Sequence, residues 1–428
     1  MAVPAAVPRS AARRELLLVA QLSPPSNLSA ARRVAGLVKY LDRLGHQVTV
    51  LTSMSSGAGP LPGAAHVVRT RDLLVSPLNW RRQSFASLAG GGDAGYEAAP
   101  SRVASLLVPD LAVVGWLPFA LPRALGLASA RRFDAVLTTS PPHSGHLIGL
   151  ALHRRGLPWV ADFRDGWTFE SNRPAWPLAA QRALDGRLER AVATSAGRVV
   201  AVSHPIAADL RRRFEREVAT ITNGFDPDEH GGGAPAAAAL GPPAPSPDRH
   251  TLLHAGRMAY AGRSPAPLLD ALERAPDLRR RLEVLFAGPL SEQERVLIER
   301  PGLEGAARAV GSLDRGRTLA LESASDSLLV LTTGHRRGEA TQKVFEYLAA
   351  GKPVLVLGED TEAARIVGEA AAGIVAPADD PDAIVTALWR LVDGGAPAAA
   401  AGAVERYSYA RLAEAMAEEV ERVICAAG

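Results

Sequence analysis

Short apolar runs alternate with helical segments along most of the chain, and this alternation constrains the fold more than any other feature. The run 15–20 (ELLLVA) is typical of a buried strand, and a helix is predicted over 30–44, ending at Gly45. The run HQVTVLTS then predicts a second strand. A strand, a helix and a strand in this order form a βαβ unit, which predicts a parallel sheet.

The alternation recurs in both halves of the chain, and its 428 residues favour two domains. The stretch 231–250 is rich in Gly, Pro and Ala and has no periodicity, which indicates a linker or insert. We therefore predict an α/β protein with two doubly wound Rossmann-like domains facing a central cleft, at 1–230 and 251–402. A C-terminal helix at 403–428 is expected to pack back on the N-terminal domain.

Charge and cysteine content exclude several classes of protein. The 48 basic residues nearly balance the 45 acidic ones, and the formal charge of +3 does not favour nucleic-acid binding. The single cysteine, Cys425, rules out an internal disulfide framework and a cysteine-based metal site. The first apolar run is broken by SPPS, so we interpret it as a strand and not as a signal peptide. A cytoplasmic location is expected.

The least polar stretch, 106–128, is interrupted by Pro109, Asp110, Pro118, Pro122 and Arg123. No run of about 18 or more uncharged apolar residues occurs, so no membrane span is predicted. The stretch is compatible with core packing, or with an amphipathic surface that touches lipid. The second interpretation implies peripheral contact with the inner face of a membrane.

Polar residues follow the first predicted strand, where a loop leads into a helix. Ser26, Asn27 and Ser29 lie there, and the helix N-terminus behind them suits an anion or substrate hydroxyls. A tight loop with no ligand is the alternative. The loop lacks the glycines of GxGxxG, which argues against a dinucleotide reductase.

Charged residues and histidines follow two further strands of the N-terminal half. Asp162 ends one strand and is expected to pair with an arginine, since a buried charge is costly unless it is paired. Arg164 and Asp165 come next and are predicted to lie in the cleft, although a purely structural ion pair is the alternative. His143 and His146 follow the neighbouring strand, where each is a loop residue or a substrate contact.

In the second half, Gly256, Arg257 and Arg263 follow the first strand. Glycine allows backbone N–H groups to approach a phosphate, and arginines donate charge-assisted hydrogen bonds to it. Glu339 and Glu346 bracket Lys343 where a later loop becomes a helix, so they are surface charges or ligand contacts.

Two Asp-x-Asp patterns resemble metal-binding sequences. Asp226 with Asp228 and Asp380 with Asp382 both lie in proline-containing turn or helix-start contexts, which favours structural use. Asp379 or Asp380 is expected to cap the helix that starts near Pro381.

The order of these motifs is similar to that in glycosyltransferases of the GT-B fold, and in particular to the retaining family 4 enzymes that use nucleotide-sugar donors. The matching segments span nearly the whole chain. They are SPPSNLSAARRVAGLVKYLDRLGHQVTVLTS, TTSPPHSGH with PWVADFRDGW, ITNGFDPDE, HAGRMAYAGR and, as the sharpest match, QKVFEYLAAGKPVL. The last motif, together with ITNGFDP, is fairly specific for the family.

The resemblance implies that the C-terminal domain binds the nucleotide sugar. Arg257 and Arg263 would contact the donor diphosphate beside Gly256, with Lys343 as a further contact. Glu346 matches the glutamate that holds the ribose hydroxyls in the family. Glu339 is the candidate for the glutamate that contacts the transferred sugar.

The spacing of the two glutamates departs from the family pattern. Six residues lie between Glu339 and Glu346, whereas the family usually has seven, and Gly338 stands where the first glutamate is expected. Either the loop absorbs one residue, or Glu339 is not the equivalent glutamate.

The N-terminal domain is expected to hold the acceptor. His143, Arg164 and Asp165 are predicted for acceptor positioning or proton handling. Acceptor contacts are predicted at Ser26, Asn27, Ser29 and Trp116.

The leading hypothesis is a retaining glycosyltransferase that moves a sugar from a nucleotide-sugar donor to a hydroxyl acceptor. The acceptor is expected to be a lipid-linked saccharide or a small molecule, in polysaccharide, glycolipid or natural-product biosynthesis. No cofactor and no metal are expected. The alternatives are a nucleotide-sugar epimerase of the same fold and a non-catalytic nucleotide-sugar-binding relative.

Overall fold

Buried parallel strands form the centre of the N-terminal half. The structure is a computed structural model that describes residues 12–26, 29–73, 107–171, 175–230, 244–258, 263–333 and 335–427, with Ser29 and Ala401 described by backbone alone. The strands of this half within those ranges are β1 (Glu15–Val19), β2 (Gln47–Ser53), β3 (Ala64–Thr70), β4 (Ala135–Ser140), β5 (Trp159–Phe163), β6 (Arg198–Ala201) and β7 (Ala219–Thr220). Their order is β3-β2-β1-β4-β5-β6-β7, and the pairs are parallel.

Helices cover both faces of this sheet, as parallel sheets require. They are α1 (Ser29–Arg43), α2 (Ala112–Gly115), α3 (Leu117–Ala130), α4 (Gly145–His153), α5 (Ala179–Ser195), α6 (His204–Phe214) and α7 (Pro227–His230). Helix α1 ends two residues before Gly45, whose φ of +93° is a conformation that glycine adopts without strain. Strand β3 was not anticipated from the sequence, since its side chains are only partly buried.

A second parallel sheet forms the centre of the C-terminal half. Its strands in the described ranges are β8 (His250–Ala255), β9 (Leu282–Ala287), β10 (Ala307–Gly311), β11 (Ser327–Leu331), β12 (Val354–Leu357) and β13 (Gly373–Ala376). Their order is β10-β9-β8-β11-β12-β13. Strands β9, β11 and β12 are buried along their whole length, as expected for strands covered on both faces.

The helices of this half follow the order expected for repeated βα units. They are α8 (Ala266–Arg274), α9 (Pro276–Arg281), α10 (Glu292–Ile298), α11 (Arg315–Ala324), α12 (Gln342–Ala349), α13 (Glu362–Glu369), α14 (Pro381–Val392), α15 (Ala401–Glu405) and α16 (Tyr409–Ala427). The predicted cap of α14 is confirmed: the side chain of Asp380 accepts hydrogen bonds from the backbone N–H groups of Asp382 and Ala383.

The C-terminal helix α16 packs against α1 of the N-terminal half. The ring of Tyr409 lies so close to Gly36 that a Cβ at Gly36 would be 2.3 Å from it. The start of α16 and the residues before it bond to Phe225 of the N-terminal half. The Tyr409 N–H donates to the Phe225 carbonyl at 2.9 Å, and the Phe225 N–H donates to the Tyr407 carbonyl at 3.1 Å. The chain thus returns to the first domain at its end.

A buried ion pair joins α1 to β5. Arg33 and Asp162 form two hydrogen bonds of 2.9 and 2.7 Å, and the Thr139 hydroxyl donates a third to Asp162 at 2.8 Å. The predicted pairing of Asp162 with an arginine is therefore confirmed. Arg33 also donates to the carbonyls of Ile221 and Thr222, so it ties α1 to β5 and to the loop that follows β7.

The apolar stretch predicted at 106–128 packs on the core with one face. From residue 107 onward it forms helices α2 and α3, in which Trp116, Ala120, Ala124 and Leu127 are buried. Val114, Pro118 and Pro122 are exposed on the other side. In the described ranges, no helix combines the length and apolarity needed to cross a membrane.

The carboxyl ends of the two sheets face each other across a cleft. The Gln342 side chain, at the start of α12, donates a hydrogen bond to the Gly224 carbonyl, which follows β7. The loop after β11 contacts the loop after β5, where Arg336 Nη2 lies 3.8 Å from Asp165 Oδ1. The predicted fold of two Rossmann-like α/β domains about a central cleft is confirmed.

Candidate functional site

Two glycines at the carboxyl ends of β8 and β9 allow close contacts, one with a lysine and one between the two loops. Gly256 and Gly288 have φ values of +118° and +143°. A Cβ at Gly288 would lie 2.6 Å from the Gly256 carbonyl oxygen, and a Cβ at Gly256 would lie 2.4 Å from Lys343 Cε. Lys343, in the first turn of α12, therefore lies directly over the backbone of the loop that follows β8.

The amine of Lys343 lies in an electropositive and poorly solvated place. Burial and, next, the positive charge of Arg263 lower its pKa to about 7, against the opposing effects of Glu346 and Glu339. Its hydrogen bond to the Arg257 carbonyl is long, at 3.4 Å. An anion bound here would stabilise the charged amine.

The guanidinium groups of Arg257 and Arg263 differ in their contacts with the described residues. Arg263 Nη2 donates to Glu339 Oε1 at 2.8 Å, whereas Arg257 forms no side-chain hydrogen bond or ion pair with any described residue. Glu339 Oε2 accepts a further bond from Arg336 Nη1 at 2.9 Å. The sequence predicted Arg263 and Glu339 as separate donor contacts, and the structure pairs them with each other.

Glu346 lies on the buried side of α12 and is held by arginines from both domains. Arg32 of α1 donates to Oε1, and Arg315 Nη1 of α11 lies 3.1 Å from Oε2. Burial acts to raise the pKa of Glu346, but the two arginines hold it below the ordinary value. Arg315 also bonds to Glu229 at 2.7 Å, so the cluster joins the two domains.

A second carboxyl group lies behind Glu346. Glu322 of α11 is 1% exposed, and neither of its carboxyl oxygens has a hydrogen-bond partner among the described residues. Burial and, next, the charge of Glu346 raise its pKa to about 8, against the opposing charge of Arg315. The protonated form of Glu322 is therefore favoured at pH 7. Its neighbours in the sequence, Leu321 and Ser323, carry no signal that distinguishes it from a surface glutamate of a helix.

The residues predicted for acceptor chemistry lie across the cleft in the N-terminal domain. His143 is buried and stacks on Trp167, with ring centroids 4.7 Å apart. Arg164 donates to the carbonyls of Ser140 and Pro141, so it holds the loop after β4. Burial lowers the Arg164 pKa to about 10. The acceptor role of His143, Arg164 and Asp165 stays a prediction.

The prediction of Trp116 as an acceptor contact is wrong. Its side chain is fully buried in the core of the N-terminal domain, and its indole N–H donates to Thr70 Oγ1 at 2.9 Å. Ser26 lies half-buried at the predicted loop, where its N–H donates to the Ser23 carbonyl. Asn27 and the side chain of Ser29 lie outside the described residues.

Several charged groups at or near the cleft could not be identified from the sequence. Each is placed by contacts with residues that are distant in the sequence. They are Arg32, Glu170, Arg315, Glu322 and Arg336.

Comparisons with known proteins match both halves of the chain. Residues 30–229 match the family described as Glycosyltransferase Family 4, and residues 249–394 match the family described as Glycosyl transferases group 1. A phosphatidyl-myo-inositol mannosyltransferase of Mycolicibacterium smegmatis is 27% identical, over 74% of this chain and 83% of that protein.

Solved structures share the fold at low sequence identity. Sucrose-phosphate synthase from Thermosynechococcus elongatus has a TM-score of 0.68 at 16% identity, covering 97% of this chain and 100% of that chain. A glycosyltransferase from Rickettsia africae has a TM-score of 0.56 at 13% identity, covering 96% and 98%. This chain is therefore a glycosyltransferase of the GT-B fold that resembles the family 4 enzymes.

Proposed function

We propose that the protein transfers a sugar, with retention of anomeric configuration, from a nucleoside diphosphate sugar to a hydroxyl acceptor. The observation that carries this proposal is the Lys343 amine, which is held over Gly256 beside Arg263. A cation that is poorly solvated and lies next to another cation is suited to a dianionic ligand such as a diphosphate.

Stabilisation of the leaving group follows from this arrangement. Glycosyl transfer builds negative charge on the departing diphosphate, and fixed cations stabilise that charge in a closed site. Lys343 and the guanidinium of Arg257 would supply these cations, while Gly256 lets the diphosphate approach the backbone. The role of Arg263 is to keep the local potential positive while it holds Glu339.

Glu346 would bind the ribose hydroxyls of the donor. Its carboxylate stays ionised and accepts hydrogen bonds at both oxygens. Arg32 and Arg315 bind different oxygens of this carboxylate, so Arg315 can remain bound while a hydroxyl replaces Arg32. Glu346 is thus a selective contact for a ribose and would distinguish it from a 2′-deoxyribose.

The acceptor would approach from the N-terminal domain, past Asp165 and the loop that Arg164 holds. We assign no protein nucleophile. The lipid acceptor in the name of the mycobacterial relative favours a lipid-linked acceptor, and with it peripheral contact with the inner face of a membrane.

The proposal is tested with a panel of donors that includes GDP-mannose, UDP-glucose and UDP-N-acetylglucosamine. The folded protein should bind at least one of them and hydrolyse it slowly without an acceptor. Lys343→Met should weaken this binding about tenfold or more, because a charge-assisted contact is lost. Lys352→Met, just beyond the end of α12, is the matched control and should bind as the wild type does.

Three outcomes would contradict the proposal in different ways. Binding of no donor by a folded sample would reject the function as a whole. Isomerisation of the nucleotide sugar without an acceptor would instead indicate an epimerase. A product whose anomeric configuration is inverted, measured by NMR, would reject retention.

A further inference from the structure

The two domains meet at Gly338, on the loop between β11 and α12. The Gly338 N–H donates a hydrogen bond of 2.8 Å to Oε2 of Glu170, on the loop after β5. A Cβ at Gly338 would lie 3.2 Å from Ile206 Cγ1, 3.3 Å from Glu170 Oε2 and 3.4 Å from Ser203 Oγ. The N-terminal domain thus fills the space that a side chain at position 338 would need.

The backbone of Glu170 has an unusual conformation. Its φ is +43°, in the left-handed region that residues other than glycine seldom adopt. Such a residue persists when its surroundings define the conformation, and residues of this kind are concentrated at functional sites. A glycine would relieve the strain, so the glutamate side chain itself is the feature to be explained.

One oxygen of the Glu170 carboxylate is available to a ligand. Oε2 accepts from Gly338, whereas Oε1 makes no hydrogen bond to any residue in the described ranges. Glu339, a second carboxylate at this junction, already accepts a hydrogen bond at each oxygen, from Arg263 and from Arg336. Glu170 is therefore the better placed of the two to accept a hydrogen bond from a ligand hydroxyl.

Several buried polar atoms around this contact have no hydrogen-bond partner among the described residues. They are Ser203 Oγ, Thr333 Oγ1, Arg336 Nε and Thr341 Oγ1. Three of them lie on the loop that carries Gly338, and the fourth lies beside Gly338 itself. Buried polar groups are normally satisfied, so a cluster of unsatisfied ones indicates a polar ligand.

We propose that Glu170, presented by the N-terminal domain, binds hydroxyl groups of the sugar that is transferred. This inference rests on the proposed function, in which Lys343 and Glu346 hold the diphosphate and ribose of the same donor. Glu170 belongs to the opposite domain, so its contact with the sugar forms only when the domains close. Selection of the sugar is thereby coupled to closure of the cleft.

The test separates the sugar from the nucleotide. Affinities are measured by calorimetry for a nucleoside diphosphate and for the corresponding nucleoside diphosphate sugar, with GDP and GDP-mannose or UDP and UDP-glucose as probes. Glu170→Gln should leave the affinity for the nucleoside diphosphate within about twofold and weaken that for the sugar nucleotide about tenfold. The same variant should lower acceptor-free hydrolysis of the donor.

Two further variants make the result decisive. Glu170→Gly keeps the left-handed backbone without strain, so it should remain folded, with a Tm within about 2 °C of the wild type, and show the same selective loss. Glu215→Gln is the matched control, because Glu215 is an exposed glutamate with φ +50° at the end of α6 and should bind as the wild type does.

Equal loss of both affinities would overturn the inference, because it would mean that Glu170 only holds the domains together. Wild-type binding and hydrolysis in both Glu170 variants would also overturn it. If the wild type bound neither nucleoside diphosphates nor nucleoside diphosphate sugars, the proposed function itself would be rejected. That result is obtained before any variant is made, so the two failures are distinguishable.

Discussion

The guanidinium of Arg32, in the first helix of the N-terminal domain, donates a hydrogen bond to Glu346, in the helix of the C-terminal domain that follows β11. Arg315 occupies the other oxygen of the same carboxylate at 3.1 Å. The group proposed to bind the ribose is thus held by two cations, one from each domain. Because Arg315 is also bonded to Glu229 at 2.7 Å, Arg32 is the partner that a donor can displace more easily.

Replacement of Arg32 tests this competition. Arg32→Gln should strengthen the binding of a nucleoside diphosphate about two- to fivefold, the range expected for a partly exposed ion pair. Arg43→Gln, on the exposed end of the same helix, serves as the control and should have no effect. Weaker binding in Arg32→Gln, measured by calorimetry, would instead mean that Arg32 contacts the diphosphate.

Removal of Glu346 tests the ribose contact itself. The wild type should bind a ribonucleoside diphosphate about tenfold more tightly than its 2′-deoxy analogue, and Glu346→Ala should abolish this preference. Circular dichroism should show that the variant remains folded. Glu418→Ala, at an exposed position on α16, provides the control. Retention of the preference in Glu346→Ala would exclude Glu346 as the contact.

Donor binding should depend on pH through Lys343. Burial lowers the pKa of this amine to about 7, and a bound diphosphate would raise it. Binding above pH 7 therefore takes up a proton, and affinity should fall by up to about tenfold per pH unit from pH 7 upward. Lys343→Arg stays charged throughout this range and should flatten the profile. A wild-type affinity that is constant from pH 7 to 9 would refute the assignment.

The close approach of Gly256 and Lys343 can be tested with two alanine variants. Gly256→Ala introduces a Cβ 2.4 Å from Lys343 Cε at a φ of +118°. Gly45→Ala has comparable backbone strain, at a φ of +93°, but nothing lies within 4 Å of the new Cβ. Both should lose about 1–3 kcal/mol in the free energy of unfolding measured with urea. Only Gly256→Ala should also weaken nucleoside diphosphate binding, and equal binding by the two variants would count against the site.

The buried acid Glu322 should make stability fall as pH rises. Its pKa is raised from 4.5 to about 8 in the folded protein, so the unfolded chain loses the proton first. The free energy of unfolding should therefore decrease between about pH 4.5 and 8. Glu322→Gln stays neutral and should exceed the wild type at pH 8 by about 1–3 kcal/mol, but match it near pH 4. Glu292→Gln, at an exposed position, should behave like the wild type at both values.

Much of the fold was predictable because it depends on local patterns. The apolar runs and helical spacings that predicted β1, α1 and β2 reflect burial on a sheet and along one helix face. The cap at Asp380 was equally predictable, since a cap bonds to N–H groups two and three residues away. Strand β3 was missed because partial exposure leaves no continuous apolar run.

Burial, by contrast, was misjudged where it depends on distant packing. Trp116 follows a glycine and precedes a proline-rich helix, and its sequence context was compatible with an exposed acceptor loop. In the structure it lies under β3 and bonds to Thr70. Thr70 is far from Trp116 in the sequence, and local periodicity carries no information about contacts between distant segments.

The sequence by itself determined that two α/β domains form, and that Lys343 and Glu346 lie at the start of a helix behind a strand end. Their residue types and their distance along one helix are local properties. Only the tertiary structure decided that Arg32 and Arg315 hold Glu346, and that Glu170 meets Gly338. These contacts join residues on different domains or different helices, and the domain packing that creates them is set by the whole chain.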